Sequence, residues 1–210
     1  MRSHAETLEA EAVSWVLEDS KAQREKLRRE RIRHFRLARD LKLDVLGTTE
    51  MDVLEVGGGP LPLSDILSFR SRVVVDPLSD TYRKIAPCRD HVAVKAEDMV
   101  FNSEFDLVIA TNSLDHVDVP ETAVTRITEA LRPSGYAAIL CAENNAITNK
   151  HPAHRHNLTD KVILKWMSPT FETVWSLTYR EHGFRYGWVE YEGRRGQPAF
   201  ALLLRKCTGY

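Results

Sequence analysis

The chain is poor in cysteine: Cys88, Cys141 and Cys207 are odd in number, far apart and free of any C-x-x-C spacing. That excludes a disulfide framework and a zinc knuckle and leaves reduced thiols. Long apolar runs are also missing. Residues 136–142 are among the longest, far short of the roughly 20 needed to cross a bilayer, so no membrane segment is expected. Near the start, Glu6, Glu9 and Glu11 interrupt anything like the apolar core of a secretory signal, and a cytoplasmic location is the expectation. With only 10 glycines and 9 prolines, collagen-like and low-complexity classes fall away. What remains, at 210 residues and 43% hydrophobic, is a globular chain large enough for one domain with a short appendage and too small for two enzymatic domains.

A net charge of −1 conceals an uneven distribution. Residues 21–42 hold ten bases against Glu25, Glu30 and Asp40, a local charge of +7, whereas residues 1–20 carry −4. Such a block attracts nucleic acid, phosphorylated substrates or an acidic partner, or is simply a solvated helix face. Both blocks read as helix. Leu8, Ala12, Trp15 and Val16 recur at spacings of three and four, and Ser20 followed by Gln23 matches a capping box that restarts a helix. In the second helix Leu27, Ile32, Phe35, Ala38 and Leu41 predict a thin apolar stripe. A stripe so narrow needs a partner surface. The expectation is an N-terminal helical extension, residues 1–45, lying as a lid on a domain spanning 46–210.

From residue 51 onward short apolar runs alternate with helical patterns, the signature of a mostly parallel sheet covered on both faces. Strands are expected at 51–56, 72–75, 91–94, 105–110 and 136–142, with helices at 63–69, 79–85 and 120–131. Beyond a polar, His-rich loop, helical patterns cover 160–167 and 169–182. Two last runs, 184–192 and 198–206, flank the turn-rich connection 193–197 and predict an antiparallel hairpin.

The chemistry begins at the first strand. Glu55 lies at its end, and Gly57, Gly58 and Gly59 follow at once, where glycine permits a tight turn and a close backbone approach to a ligand. In an open parallel sheet, ligands bind outside the carboxyl ends of the strands, where this loop falls. Asp76 ends the second strand, 17 residues after Gly59, and an acid there accepts bonds from both hydroxyls of a ribose or else caps a helix. The same spacing serves NAD. An acid at Glu55 speaks against it, because a carboxylate beside the pyrophosphate would repel it.

These residues, with Ala96, Glu97, Asp98 and Met99, then Phe105 to Val108 and Leu131 to Gly135, resemble in order the motifs of the class I S-adenosylmethionine-dependent methyltransferases. The resemblance covers about residues 50–145 and implies a seven-stranded, doubly wound α/β sheet with one antiparallel strand in the terminal hairpin. It implies S-adenosyl-L-methionine as cofactor. Glu55 would then face the methionine amino group through water, Gly57, Gly58 and Gly59 would pass the sulfonium and carboxylate, and Asp76 would hold the ribose diol. Pro77 and Leu78 would flank the adenine, Ala96 and Glu97 would read its edge, and Asn112 would border the methionine moiety. The chain departs from the pattern at Leu61, Lys95 and Ser134. Asp76-Pro77-Leu78 and the run from Asn112 to Val117 are similar to a bacterial branch of single-domain methyltransferases, a likeness that fixes no substrate.

Methyl transfer from a sulfonium is an in-line displacement, so positioning supplies much of the rate and a base is needed only where the acceptor must lose a proton. His116 is the first candidate base, with Asp115 orienting it or contacting substrate; a capping Asp and a packed His are the structural alternative. In the loop after the fifth strand, His151, His154 and His156 stand within six residues. His151 and His154 are candidates for base or substrate contact, and Asn144 and Asn145 are weaker choices at the same mouth. No Cys or acid lies inside the His cluster, so no metal is expected. No Asn-Pro-Pro-Tyr run follows the fourth strand, and no Pro-Cys nucleophile stands there either, which removes two routes to base methylation. A small-molecule acceptor methylated at oxygen is the favoured reading. The alternatives are an RNA or DNA methyltransferase using residues 21–42 and a non-catalytic partner subunit.

Overall fold

A computed structural model describes residues 4–16, 20–87, 89–143, 153–178 and 199–208. In chain order the helices are α1 (His4–Trp15), α2 (Ser20–Asp40), α3 (Ser79–Tyr82), α4 (Pro120–Ala130) and α5 (Asp160–Met167). The strands are β1 (Asp52–Val56), β2 (Ser71–Val75), β3 (His91–Val92), β4 (Phe105–Thr111), β5 (Leu131–Ala142), β6 (Phe171–Thr178) and β7 (Ala199–Lys206). They form one seven-stranded sheet in the order β3-β2-β1-β4-β5-β7-β6, parallel except for β7, which runs antiparallel to both neighbours. The doubly wound, mostly parallel α/β sheet expected from the sequence is the fold observed.

The central strands are apolar on both sides because helices cover both faces. Leu54, Val108, Ala137 and Ile139 join Ala123, Val124 and Ile127 of α4 and Ile163 and Met167 of α5 in one core. Their sequence neighbours Val53, Leu107, Ala138 and Leu140 turn the other way and pack with Leu37, Ala38 and Leu41 of α2, together with Leu43 and Leu63. The period of two along each strand thus sorts the chain into two cores. The carboxyl-terminal end of α2 is a layer of the second one.

Several expectations change. The helix expected at 63–69 is a 3-10 turn, Leu63–Ile66, and that at 79–85 contracts to the single turn of α3. The pattern at 169–182, expected as helix, contains β6. Phe171, Thr173, Val174 and Trp175 are β-branched or aromatic and suit a pleated strand against β7, whose register shifts between Thr173 and Trp175. The antiparallel terminal pair is therefore β6 with β7; the run 184–192 and the connection 193–197 lie outside the described residues. The stripe expected on α2 is also out of phase. Ile32 and Phe35 are exposed, while Gln23, Lys26, Glu30, His34, Leu37 and Leu41 are buried. At about 100° per residue, Ile32 and Leu41 point to opposite sides of the helix, so both could not face the core. Leu37 and Leu41 set the phase, and polar residues share the buried face.

Candidate active site

The carboxyl ends of β1, β2 and β4 meet at the middle of the sheet, and the side chains there are held by backbone groups. Glu55, buried on β1, accepts from the amides of Leu63 at 2.7 Å and Ser64 at 2.8 Å. Its carboxylate thereby ties the far side of the glycine loop to the strand. Burial pushes its pKa up, opposed by the donors from Ser64 and Leu63 and by the charge of Arg72. The loop itself turns with Gly57 at φ 71°. A Cβ at Gly57 would stand 2.3 Å from the Cβ of Ser113, so the chain passes β4's tip at a distance only glycine allows. Gly58 lies over Val74.

Asp76 is buried at the tip of β2, accepting from the Gly59 amide at 3.0 Å and the Leu78 amide at 2.8 Å. The acid and the glycine loop, 17 residues apart, are thus joined directly. Pro77 and Leu78 are half-buried beside it, and Leu78 joins Trp15, Tyr82, Ile85 and Ala86 in a small apolar cluster. Ala96 is buried in the main core. Glu97 accepts at Oε1 from the amides of Asp118 and Val119, the latter at 3.0 Å, holding the loop that leads into α4. Asn112, at the tip of β4, has φ 50° and donates its amide to the Leu140 carbonyl at 2.8 Å.

Two residues of this pocket carried no signal as site residues in the sequence. Trp15 of α1 lies against the glycine loop, its ring 3.9 Å from where a Gly59 Cβ would stand, and makes an edge-on contact with Tyr82 at 6.5 Å between centroids. The Lys26 ammonium sits 4.3 Å from the centre of the same ring. Ser113 is buried beside Gly57, and its hydroxyl has no hydrogen-bond partner among the described residues. An unsatisfied hydroxyl, a loop packed too tightly for any side chain and an acid at the strand tip fit a polar ligand passing between β1 and β4. S-adenosylmethionine has the groups to meet them.

Beyond Asn112 the β4–α4 loop brings Asp115, fully buried, against His154 of the loop after β5: His154 Nδ1 is 2.6 Å from Asp115 Oδ2. His116 Nε2 is 3.0 Å from the same His154 nitrogen, with the two rings at 79°. The loop is clipped in place where the amides of Arg155, at 2.9 Å, and His156 donate to the Asp115 carbonyl. His156 Nε2 lies 2.8 Å from the Val117 carbonyl, and Arg155 and Lys95 both pair with Asp118. Beneath the cluster, the Cys141 thiol is 3.7 Å from Asp115 Oδ1. Burial first, then the neighbouring Asp115 charge, push that thiol's pKa well up and keep it protonated. Of the sequence candidates, Asp115, His116 and His154 come together; His151, Asn144 and Asn145 lie outside the described residues.

Two uncharacterized proteins of Mycobacterium tuberculosis are each 33% identical over 102 residues, which is 42% of this chain and 35% of the relative. The match therefore spans about a third of those relatives' length. Among solved structures, the N-methyltransferase NodS from Bradyrhizobium japonicum in complex with S-adenosyl-L-homocysteine superposes with a TM-score of 0.63 at 16% identity, covering 85% of this chain and 87% of that one. The 1,6-didemethyltoxoflavin-N1-methyltransferase of Burkholderia thailandensis gives 0.63 at 17% identity, covering 99% and 92%. Those likenesses show the fold. A family model described as a methyltransferase domain matches residues 25–187, most of the chain. That match establishes that the chain belongs to the methyltransferase domain family.

Proposed function

We propose that the protein transfers the methyl group of S-adenosylmethionine to a small-molecule acceptor, at oxygen, in the space between the glycine loop and the Asp115–His116–His154 cluster. The observation that carries the reading is that both sets of residues stand at the same carboxyl ends of β1, β2 and β4. When bound, S-adenosylmethionine supplies an electrophilic methyl on a positively charged sulfur. The chain's task is then to hold and align. Asp76 takes the ribose diol, its carboxylate held at the tip of β2 by the Gly59 and Leu78 amides. Pro77, Leu78 and Ala96 flank the adenine, with Glu97 fixing the wall beside it. Glu55 faces the methionine amino group through water, and Gly57, Gly58, Gly59 and Asn112 border the methionine chain. Residues 1–45 act as the lid, with Trp15 closing over Gly59 and excluding water.

At the acceptor side, His154 donates from Nδ1 to Asp115, which orients the ring, and His116 stands next to it. The cluster is placed to take a proton from an acceptor hydroxyl, and His151, three residues before His154 in sequence, is the further candidate. A second reading, methylation of RNA or DNA, is favoured by one observation: Arg28, Arg29 and Arg31 are 74, 69 and 59% exposed along α2. Nucleic-acid affinity falling linearly in log salt, and lost on reversing those arginines, would support it.

Calorimetric titration with S-adenosylmethionine and S-adenosylhomocysteine, with NAD as control, tests the cofactor site. Micromolar binding of the first two with NAD silent is expected; NAD binding in their place would overturn the reading. A screen of hydroxyl, carboxyl and amine acceptors then tests the atom. Turnover confined to amines would sink the oxygen assignment.

A further inference from the structure

We propose that Asp115, His116 and His154 form a binding site for a divalent cation of the zinc type. The His-rich loop on its own lacks an acid. The fold supplies one from 39 residues upstream, and Asp115 Oδ2, His116 Nε2 and His154 Nδ1 lie within 4.8 Å of one another.

Two features of the geometry point to a cation. Separations of 2.6, 3.0 and 3.7 Å between these atoms bracket the about 3.3 Å that separates ligands bound at 2.0–2.1 Å in a tetrahedral zinc site. Finally, the second layer is built: Arg155 and His156 amides on the Asp115 carbonyl lock the two loops together, and the Cys141 thiol donates to Oδ1, leaving Oδ2 as the inward atom. Exposure of 21% at His116 and 15% at His154 beside a buried Asp115 gives the site one open side.

Two imidazoles and one carboxylate suit Zn²⁺, Co²⁺ or Mn²⁺ rather than Mg²⁺ or Ca²⁺, which prefer all-oxygen shells. With three protein ligands, a fourth position stays open, the pattern of reactive rather than structural zinc. Its natural occupant is an oxygen donor of the acceptor: a phenol, an enol or a carboxylate. The inference rests on the proposed function only for that occupant, and it replaces the base role of the two imidazoles, because a nitrogen lone pair held by a cation cannot take a proton.

The test is titration of the metal-stripped full chain with Zn²⁺ by calorimetry and with Co²⁺ by visible absorption. One ion per chain at micromolar affinity or better is expected, with cobalt bands of a four- or five-coordinate site. His116→Ala and His154→Ala should each weaken Zn²⁺ at least tenfold, whereas His156→Ala, whose ring lies against the Val117 carbonyl, should leave Zn²⁺ affinity unchanged. Asp115→Asn provides a further variant that keeps the side chain's shape. Thermal unfolding and S-adenosylmethionine affinity, measured on each variant, report whether the fold and the cofactor pocket survive. Absence of stoichiometric Zn²⁺ and Co²⁺ binding by the folded protein would overturn the proposal, as would binding that His116→Ala, His154→Ala and Asp115→Asn all leave intact. Failure here with S-adenosylmethionine still bound leaves the cofactor reading standing; tight Zn²⁺ binding without S-adenosylmethionine binding does the reverse.

Discussion

The two ends of the sheet use the same acids in opposite ways. At the amino ends, Asp52 and Asp106 are met by arginines: Arg70 pairs with Asp52, and Arg132 stands 2.9 Å from Asp52 and 2.8 Å from Asp106. At the carboxyl ends, Glu55, Asp76 and Glu97 accept from backbone amides, and Asp115 from imidazole and thiol. The contrast is sharpest within β1, where Asp52 and Glu55 are three residues apart. Bonds from Arg70 and Ser71 hold the Asp52 carboxyl below its usual range, while burial lifts that of Glu55. Fixed cations neutralise an acid and finish its chemistry. Neutral donors position an acid and leave its charge for a ligand, which is why one end reads as a staple and the other as a site.

The largest expected effect that tests this contrast is at Gly57. Gly57→Ala should cost about 3 kcal/mol of stability and abolish S-adenosylmethionine binding, because the new Cβ meets Ser113 at 2.3 Å on a left-handed backbone. Next comes Asp76→Ala, expected to weaken S-adenosylmethionine by about 1 to 3 kcal/mol in calorimetry. Asp76→Asn should retain part of the affinity by keeping one oxygen; unchanged affinity in both variants would show that the ribose lies elsewhere. At the other end of the sheet, Gly47 has the same φ of 71°, but a Cβ there would meet nothing within 4 Å. Gly47→Ala should therefore cost only about 1 kcal/mol in chemical denaturation, with cofactor affinity unmoved.

The smallest effects concern pH. Asp52's pKa is lowered from 3.8, so its contribution is present above that value and fades as pH falls below it. Glu55's is raised from 4.5, so its contribution is present in acid and declines as pH rises through the raised value. Melting curves from pH 3 to 7 should show Asp52→Asn flattening the acid limb, by under about 1 kcal/mol because the pair is solvent-screened. Glu55→Gln should flatten the opposite slope. Parallel behaviour of the two variants would break the contrast drawn along β1.

The glycine loop, Asp76 and the strand ends were legible because each is local: a turn needs glycine where it turns, and a parallel strand announces its end with a polar residue. The His cluster was visible only as half a site. Its acid sits 39 residues away, and no spacing rule connects Asp115 to His154 before the fold does. Trp15 read as one member of a helical stripe, since nothing in α1 indicates that its ring reaches Gly59. β6 was misread because the irregularity between Thr173 and Trp175 interrupts its alternation, and what remains fits a loose helical period. The phase of α2 was lost for a related reason: Ile32 and Phe35 are apolar yet exposed, 51% and 62%, and the sequence does not say which apolar residues the core will claim.

The insertion of β7 between β5 and β6 has a consequence for synthesis. Among the described residues β6 pairs in the sheet with β7 alone, and one edge of β5 waits for the same strand. Emerging vectorially, the chain completes β1 to β5 with the cofactor loop while that edge is still bare; residues 199–206 then close it and recruit β6 in one late, non-local step. The unpaired edge of β5 is thus the nascent chain's most adhesive surface, and the interval before residue 206 appears is when a chaperone has most to protect.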